Sequence, residues 1–173
     1  MAEEELFEYA VKSLGARAYS TGDLKAKLRL RAADASSPDK VIDRLKEIGY
    51  LNDRRFAESF AAARVENEGF GRIRLLNDLR AKKVAPELAS EAVEHALGDT
   101  PELEQVEAFI DRRMASISKP GAIDDERKLA AAYRKLRRAG FSTGPVLSAL
   151  KKRATRPEIL DEPPPDEEEM GED

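Results

Sequence analysis

The stretch Gly49-Tyr50-Leu51-Asn52-Asp53-Arg54-Arg55-Phe56-Ala57, continued beyond an alanine-rich run by Gly69-Phe70-Gly71-Arg72-Ile73-Arg74-Leu75-Leu76-Asn77-Asp78-Leu79-Arg80-Ala81-Lys82-Lys83-Val84, decides the fold. Asn52 or Asp53 offers a side-chain oxygen to the free amides of a first helical turn. Phe56, Ala57, Phe60 and Ala61 then recur at the spacing of one helix face. Gly69 and Gly71, on either side of Phe70, stop that helix, since glycine reaches backbone angles that other residues resist. Leu75, Leu76 and Leu79 predict a second apolar face, crowded by Arg72, Arg74, Arg80, Lys82 and Lys83. Two short amphipathic helices about a glycine corner predict a helix-turn-helix-like unit.

Working outward, the same unit recurs. Leu6, Phe7, Ala10, Val11 and Leu14 predict a first helix. Ser20 or Thr21 caps a second, which carries Leu24 and Leu28. Ser36 or Ser37 followed by Pro38 starts a third, with Val41, Ile42, Leu45 and Ile48 on its apolar face and Gly49 closing it. Moving Tyr19, Leu24, Leu28 and Arg29 forward by 51 positions lands on Phe70, Leu75, Leu79 and Arg80. A further step of 57 carries Leu79, Arg80 and Val84 onto Leu136, Arg137 and Phe141. A third copy is expected over 100–154, with helices near 102–117, 125–139 and 143–153, a corner at Gly140-Phe141-Ser142, and a loop over 118–122. Tyr19, Phe70 and Phe141 are read as equivalent corners with a shared packing role, and Tyr50 as packing between repeats.

The fold class expected is all-α: an elongated array of three tandem three-helix repeats, 1–52, 53–98 and 99–156. No sustained alternation of apolar and polar residues predicts a strand. The stretch 157–173, with Pro163-Pro164-Pro165 before Asp166-Glu167-Glu168-Glu169, is expected to be a disordered acidic tail, because it has too little apolar surface to bury.

Of 173 residues, 37% are charged and 41% hydrophobic, which predicts a thin core under a charged surface. The formal net charge of −4 averages two opposite regions. The tail holds nine of the 34 acidic residues and no Lys or Arg, so the body carries 30 basic residues against 25 acidic ones. A basic body favours polyanions or acidic protein surfaces. With no cysteine, disulfides and thiolate metal sites are excluded. No apolar run approaches the roughly 20 residues of a membrane helix, and the acidic start lacks a signal-peptide pattern, so a soluble cytoplasmic protein is expected. His95 is the one histidine, in a short helix beside Ala92, Val93, Ala96 and Leu97, where a structural role is the ordinary reading. No catalytic residue, metal site or cofactor is expected.

The central block also resembles the RecX family of bacterial regulators. The residues that carry the resemblance are Gly49-Tyr50-Leu51-Asn52-Asp53, Arg55-Phe56-Ala57, Gly69-Phe70-Gly71, Arg74-Leu75, Asp78-Leu79 and Lys82, matched without a gap. Three positions depart from the family pattern: Leu75 for isoleucine, Asp78 for glutamate and Lys83 for glycine. The first two keep the chemistry, whereas Lys83 removes a helix-stopping glycine. The resemblance spans about residues 6 to 154. It implies a monomeric, non-enzymatic protein that binds RecA and the RecA–single-stranded DNA filament, with weak direct DNA binding, and chiefly inhibits recombinase, ATPase and co-protease activity.

Candidate contacts to filament or nucleic acid are the basic residues placed alike in successive repeats. They are Arg72, Arg74, Arg80, Lys82 and Lys83 in the second repeat, and Arg134, Lys135, Arg137, Arg138, Lys151, Lys152 and Arg153 in the third. Lys25, Lys27, Arg29 and Arg31 extend the pattern into the first. Two other readings stay open from the residues alone: a helix-turn-helix transcription regulator, and a helical adaptor for protein partners.

Overall fold

The structure is a computed structural model that describes residues 1–160 and Pro164. Among these residues nine α-helices follow one another in three triplets. The first triplet is α1 (Glu3–Ala16), α2 (Thr21–Arg29) and α3 (Ser37–Glu47). The second is α4 (Asp53–Glu68), α5 (Arg72–Ala81) and α6 (Pro86–Leu97). The third is α7 (Glu102–Arg113), α8 (Glu126–Arg138) and α9 (Thr143–Lys151). The chain is all-α, as the periodicity predicts; one isolated parallel bridge, Ile123 to Ala154, pins the loop before α8.

Local chemistry sets the helix starts. Ser20 accepts the Asp23 amide at 3.1 Å, Asn52 that of Arg55 at 3.0 Å, and Asp125 that of Lys128 at 2.8 Å. The start of α3 differs from the expected serine cap. Asp34 accepts the amides of Ser36 at 2.9 Å and Ser37 at 2.8 Å and bonds both hydroxyls. Those hydroxyls, then the amides, hold the Asp34 carboxyl well below its ordinary value.

The described residues divide into two compact units whose boundary runs through α4 and α5. The first is Met1–Ala63 with Leu76–Ala96, and the second is Arg64–Leu75 with the chain from Leu97 onward. Leu6, Ala10, Leu24, Leu28, Val41, Ile42, Leu45 and Leu51 form the core of the first triplet. Leu75, Leu79 and Val93 of the middle triplet are each 0% exposed. Leu79→Ala is expected to cost about 2–5 kcal/mol in urea denaturation; a loss under about 0.5 kcal/mol would mean that this face is not packed.

The other apolar residues expected in the middle core lie differently. Phe56, Phe60 and Leu97 are only half-buried, while Ala57 and Ala61 are fully enclosed. Small side chains let a neighbouring backbone come close, so α4 turns its alanines inward and leaves its phenylalanines at the margin. Tyr50, expected to pack between repeats, is 58% exposed, and the adjacent Leu51 is the buried residue.

In the second unit the core gathers Val106, Phe109, Ile110, Leu129, Tyr133, Leu136, Phe141, Val146 and Leu150. Phe141 does not belong with Tyr19 and Phe70. Those two precede the second helix of a triplet and are half-buried, whereas Phe141 follows α8, as Val84 follows α5, and is wholly enclosed edge-on against Phe109. The first helix of this triplet also ends earlier than expected. It stops at Arg113, and a 3-10 turn, Ala115–Ile117, follows the buried Met114. Lys135 donates to the freed carbonyl of Arg113 at 3.1 Å, and Ser118 bonds Asp111 at 2.6 Å.

Order also runs past the boundary expected at 157. Pro157–Leu160 forms a 3-10 turn that packs Leu160, 2% exposed, into the second core. The remainder of the acidic tail, apart from Pro164, lies outside the described residues.

Candidate functional site

The second helix of the middle and last triplets carries most of the basic candidates, and its end is built the same way twice. At the end of α5, Lys83 donates its amide to Arg80 at 2.8 Å and Val84 donates to Leu79 at 3.1 Å. At the end of α8, Gly140 donates to Arg137 at 3.0 Å and Phe141 to Leu136 at 3.3 Å. This closure needs a left-handed residue, supplied by Gly140 at φ 98° and by Lys83 at φ 58°. The lysine that departs from the family pattern therefore takes the conformation glycine would take.

Each of these ends receives the start of another second helix. In the first unit Ser20 donates its hydroxyl to the Lys82 carbonyl, Thr21 donates its amide to Asp53 at 2.7 Å, and Lys83 pairs with Asp23 at 2.7 Å. In the second unit Gly71 donates to Ala139 at 2.8 Å and Ile73 to Gly140 at 3.1 Å. Arg74 reaches the Arg138 carbonyl at 3.1 Å while lying 4.7 Å over the Phe70 ring. One partner in each joint lacks a side chain. A Cβ on Gly22 would stand 2.5 Å from that of Lys83, and a Cβ on Gly71 would stand 2.6 Å from the Gly140 carbonyl oxygen.

These joints sort the candidates. Arg72 and Arg74 are brought beside Arg138, at the end of α8, within the second unit. Arg74, Lys135 and Arg137 each bond a main-chain carbonyl, Arg137 that of Phe141 at 2.6 Å, so part of the basic cluster terminates helices. Lys83 and Lys152 are engaged with carboxylates, Lys152 with Glu107 at 2.9 Å. Arg72, Arg80, Arg138 and Lys151 present exposed side chains, and Lys82 and Arg134 are half-buried.

Arg153 leaves the set of surface contacts. It is 5% exposed and donates to Glu107 at 2.6 Å and to the Ala149 carbonyl at 2.8 Å. Burial alone would raise the Glu107 carboxyl, but the bonds from Arg153 and Lys152 outweigh it and hold it below its ordinary value. A lysine-arginine run at a helix end cannot reveal from sequence which member turns inward.

Sequence reasoning also missed a cation–aromatic cluster in the first unit. Arg17 lies 4.2 Å over the Tyr19 ring and Arg31 4.8 Å over that of Tyr9. Lys27 stands near both rings and donates to the Tyr19 hydroxyl at 2.9 Å and to Ser13 at 3.1 Å. The bond from Lys27, followed by one from Arg17, lowers the Tyr19 phenol. The four-residue spacing of Lys27 and Arg31 was the available signal. His95 is exposed on α6.

Residues 52–93, most of the middle triplet, match the family model described as RecX, second three-helix domain. A regulatory protein RecX from Trichlorobacter lovleyi is 32% identical over 143 residues, covering 83% of this chain and 92% of that protein. This chain belongs to the RecX family. A RecX from Deinococcus radiodurans is likewise 32% identical, over 96% of this chain and 74% of its own length. The crystal structure of RecX from Lactobacillus salivarius superposes with a TM-score of 0.68 at 17% identity, covering 92% of this chain and 96% of that one, so the fold is shared across weak sequence similarity. No helix among the described residues is long and apolar enough to cross a membrane.

Proposed function

We propose that this RecX-family chain is a non-enzymatic regulator that acts as a cytoplasmic monomer, without a cofactor. It binds RecA and the RecA filament on single-stranded DNA and mainly inhibits recombinase, ATPase and co-protease activity. Family membership over nearly the whole chain carries the reading. The surface chemistry supports it: exposed Arg72, Arg80, Arg138 and Lys151 suit a phosphate backbone or an acidic protein face. Weak direct DNA binding follows from the same side chains. The test is the ATPase of the cognate RecA on single-stranded DNA with increasing amounts of this protein. A dose-dependent fall is expected, and an unchanged rate over a wide concentration range overturns the proposal.

The acidic segment beyond Leu160 bears on the same contacts. Its eight carboxylates follow directly on the second unit and compete with phosphates for Lys151 and its neighbours. Truncation belongs after Leu160 and not at 157, because removing Leu160 would open the core. The truncated protein is expected to bind single-stranded DNA more tightly, most at low salt. Equal affinities for the two forms at low and moderate salt would leave the segment without that role.

A further inference from the structure

The first unit holds a cleft of about 580 Å³ between the end of α1, the first half of α4 and Lys82. Its apolar lining includes Leu14, Phe56 and Phe60, all half-buried, together with the exposed ring of Tyr50. Arg17, Arg55 and Lys82 supply its charge, and no carboxylate lines it. Some other cations of this unit pair with carboxylates, as Lys25 does with Asp39, Arg54 with Glu91 and Lys83 with Asp23. Among the described residues Arg17, Arg55 and Lys82 form no ion pair with a carboxylate. Ala57 and Ala61 fill the interior side of α4, while the half-buried Phe56 and Phe60 line the cleft.

We infer that this cleft docks an acidic peptide segment of a partner protein, with one bulky apolar side chain seated against Phe56 and Phe60 and flanking carboxylates meeting Arg17, Arg55 and Lys82. Charge complementarity selects an anionic occupant. The rings select a peptide over a nucleic-acid strand. Successive bases need free aromatic faces, but Arg17 and Lys27 stand over the Tyr19 ring, and Phe56 and Phe60 stack on each other at 5.9 Å. An apolar side chain needs only the concave apolar surface that these rings and Leu14 provide. The inference holds whether or not the partner is RecA.

Fluorescence anisotropy on the full-length protein tests it with three labelled probes: a peptide with one phenylalanine between runs of glutamate and aspartate, its phenylalanine-to-alanine counterpart, and a short oligothymidylate. Saturable binding of the first peptide is expected, about tenfold weaker for the alanine peptide. Arg55→Glu and Lys82→Glu, with circular dichroism confirming an intact fold, should each weaken the first peptide by about tenfold. Tyr50→Ala supplies a variant at an exposed position that alters the cleft without removing a charge. Absence of saturable binding overturns the inference, as does equal binding of the two peptides, which would make the contact one of charge alone. Displacement of the peptide by oligothymidylate, with oligothymidylate affinity falling in Tyr50→Ala, overturns it in favour of a nucleic-acid site. Because RecA is absent from the assay, its outcome is separate from that of the ATPase measurement.

Discussion

Gly140→Ala should lower stability by about 2–5 kcal/mol, the sum of left-handed backbone strain and an overpacked contact. Gly140 has φ 98°, where a side chain is disfavoured. An added Cβ would also run into the Cβ and amide nitrogen of Arg74 and stand 2.8 Å from the Gly71 carbonyl oxygen. The Arg74 amide and the Gly71 carbonyl are main chain, and their neighbours are tied down: Ile73 donates to Gly140, Gly71 donates to Ala139, and the Gly71 carbonyl accepts from Leu75, so the joint resists opening locally. Lys83→Gly at the matching position should behave oppositely. Release of left-handed strain, about 1 kcal/mol, is set against loss of a partly exposed ion pair to Asp23 worth about 0–1 kcal/mol. A stability equal to or slightly above the parent is therefore expected. Urea denaturation followed by far-ultraviolet circular dichroism measures both. A Gly140→Ala loss under about 0.5 kcal/mol would show that the Arg74 segment gives way.

Arg153→Ala should cost about 2–4 kcal/mol at neutral pH, because it leaves the partly buried Glu107 carboxylate with Lys152 as its remaining cation and empties a buried site. Lys151→Ala, two residues away and exposed, should change stability by less than about 0.5 kcal/mol while weakening polyanion binding. The pH dependence separates an ion pair from simple packing. Glu107 is held below its ordinary value of 4.5, so its stabilisation is complete above that value and is lost as pH falls through the folded value. The gap between Arg153→Ala and the parent should therefore narrow as pH drops below 4.5. A gap independent of pH would assign the whole effect to packing of the arginine stem.

Much of the chain was legible because helix periodicity and capping are local. Leu24, Leu28, Leu75, Leu79 and Leu136 fall at helical spacings, and each is buried in the triplet where the repeat places it. Ser20, Asn52 and Asp125 cap helices through bonds spanning three residues, which the neighbouring sequence alone can specify. The recognisable central block has this origin in part: Asn52 caps its own helix, whereas Gly71 leaves room for the distant Gly140 carbonyl.

Sequence by itself determined the helical class, the tandem triplets and the excess of basic residues before 157, all of which depend on spacing and composition. Tertiary structure decided which members of those patterns face inward. It placed Ala57 and Ala61 inside in preference to Phe56 and Phe60, enclosed Arg153 beside Glu107 while leaving Lys151 outside, and drew Leu160 into the core. It also held Lys83 left-handed, because the helix end must close onto Ser20 and Asp23 whichever residue occupies that position. Each of these outcomes depends on a partner tens of residues away, or on how closely two helices approach, and neither quantity is written in local spacing.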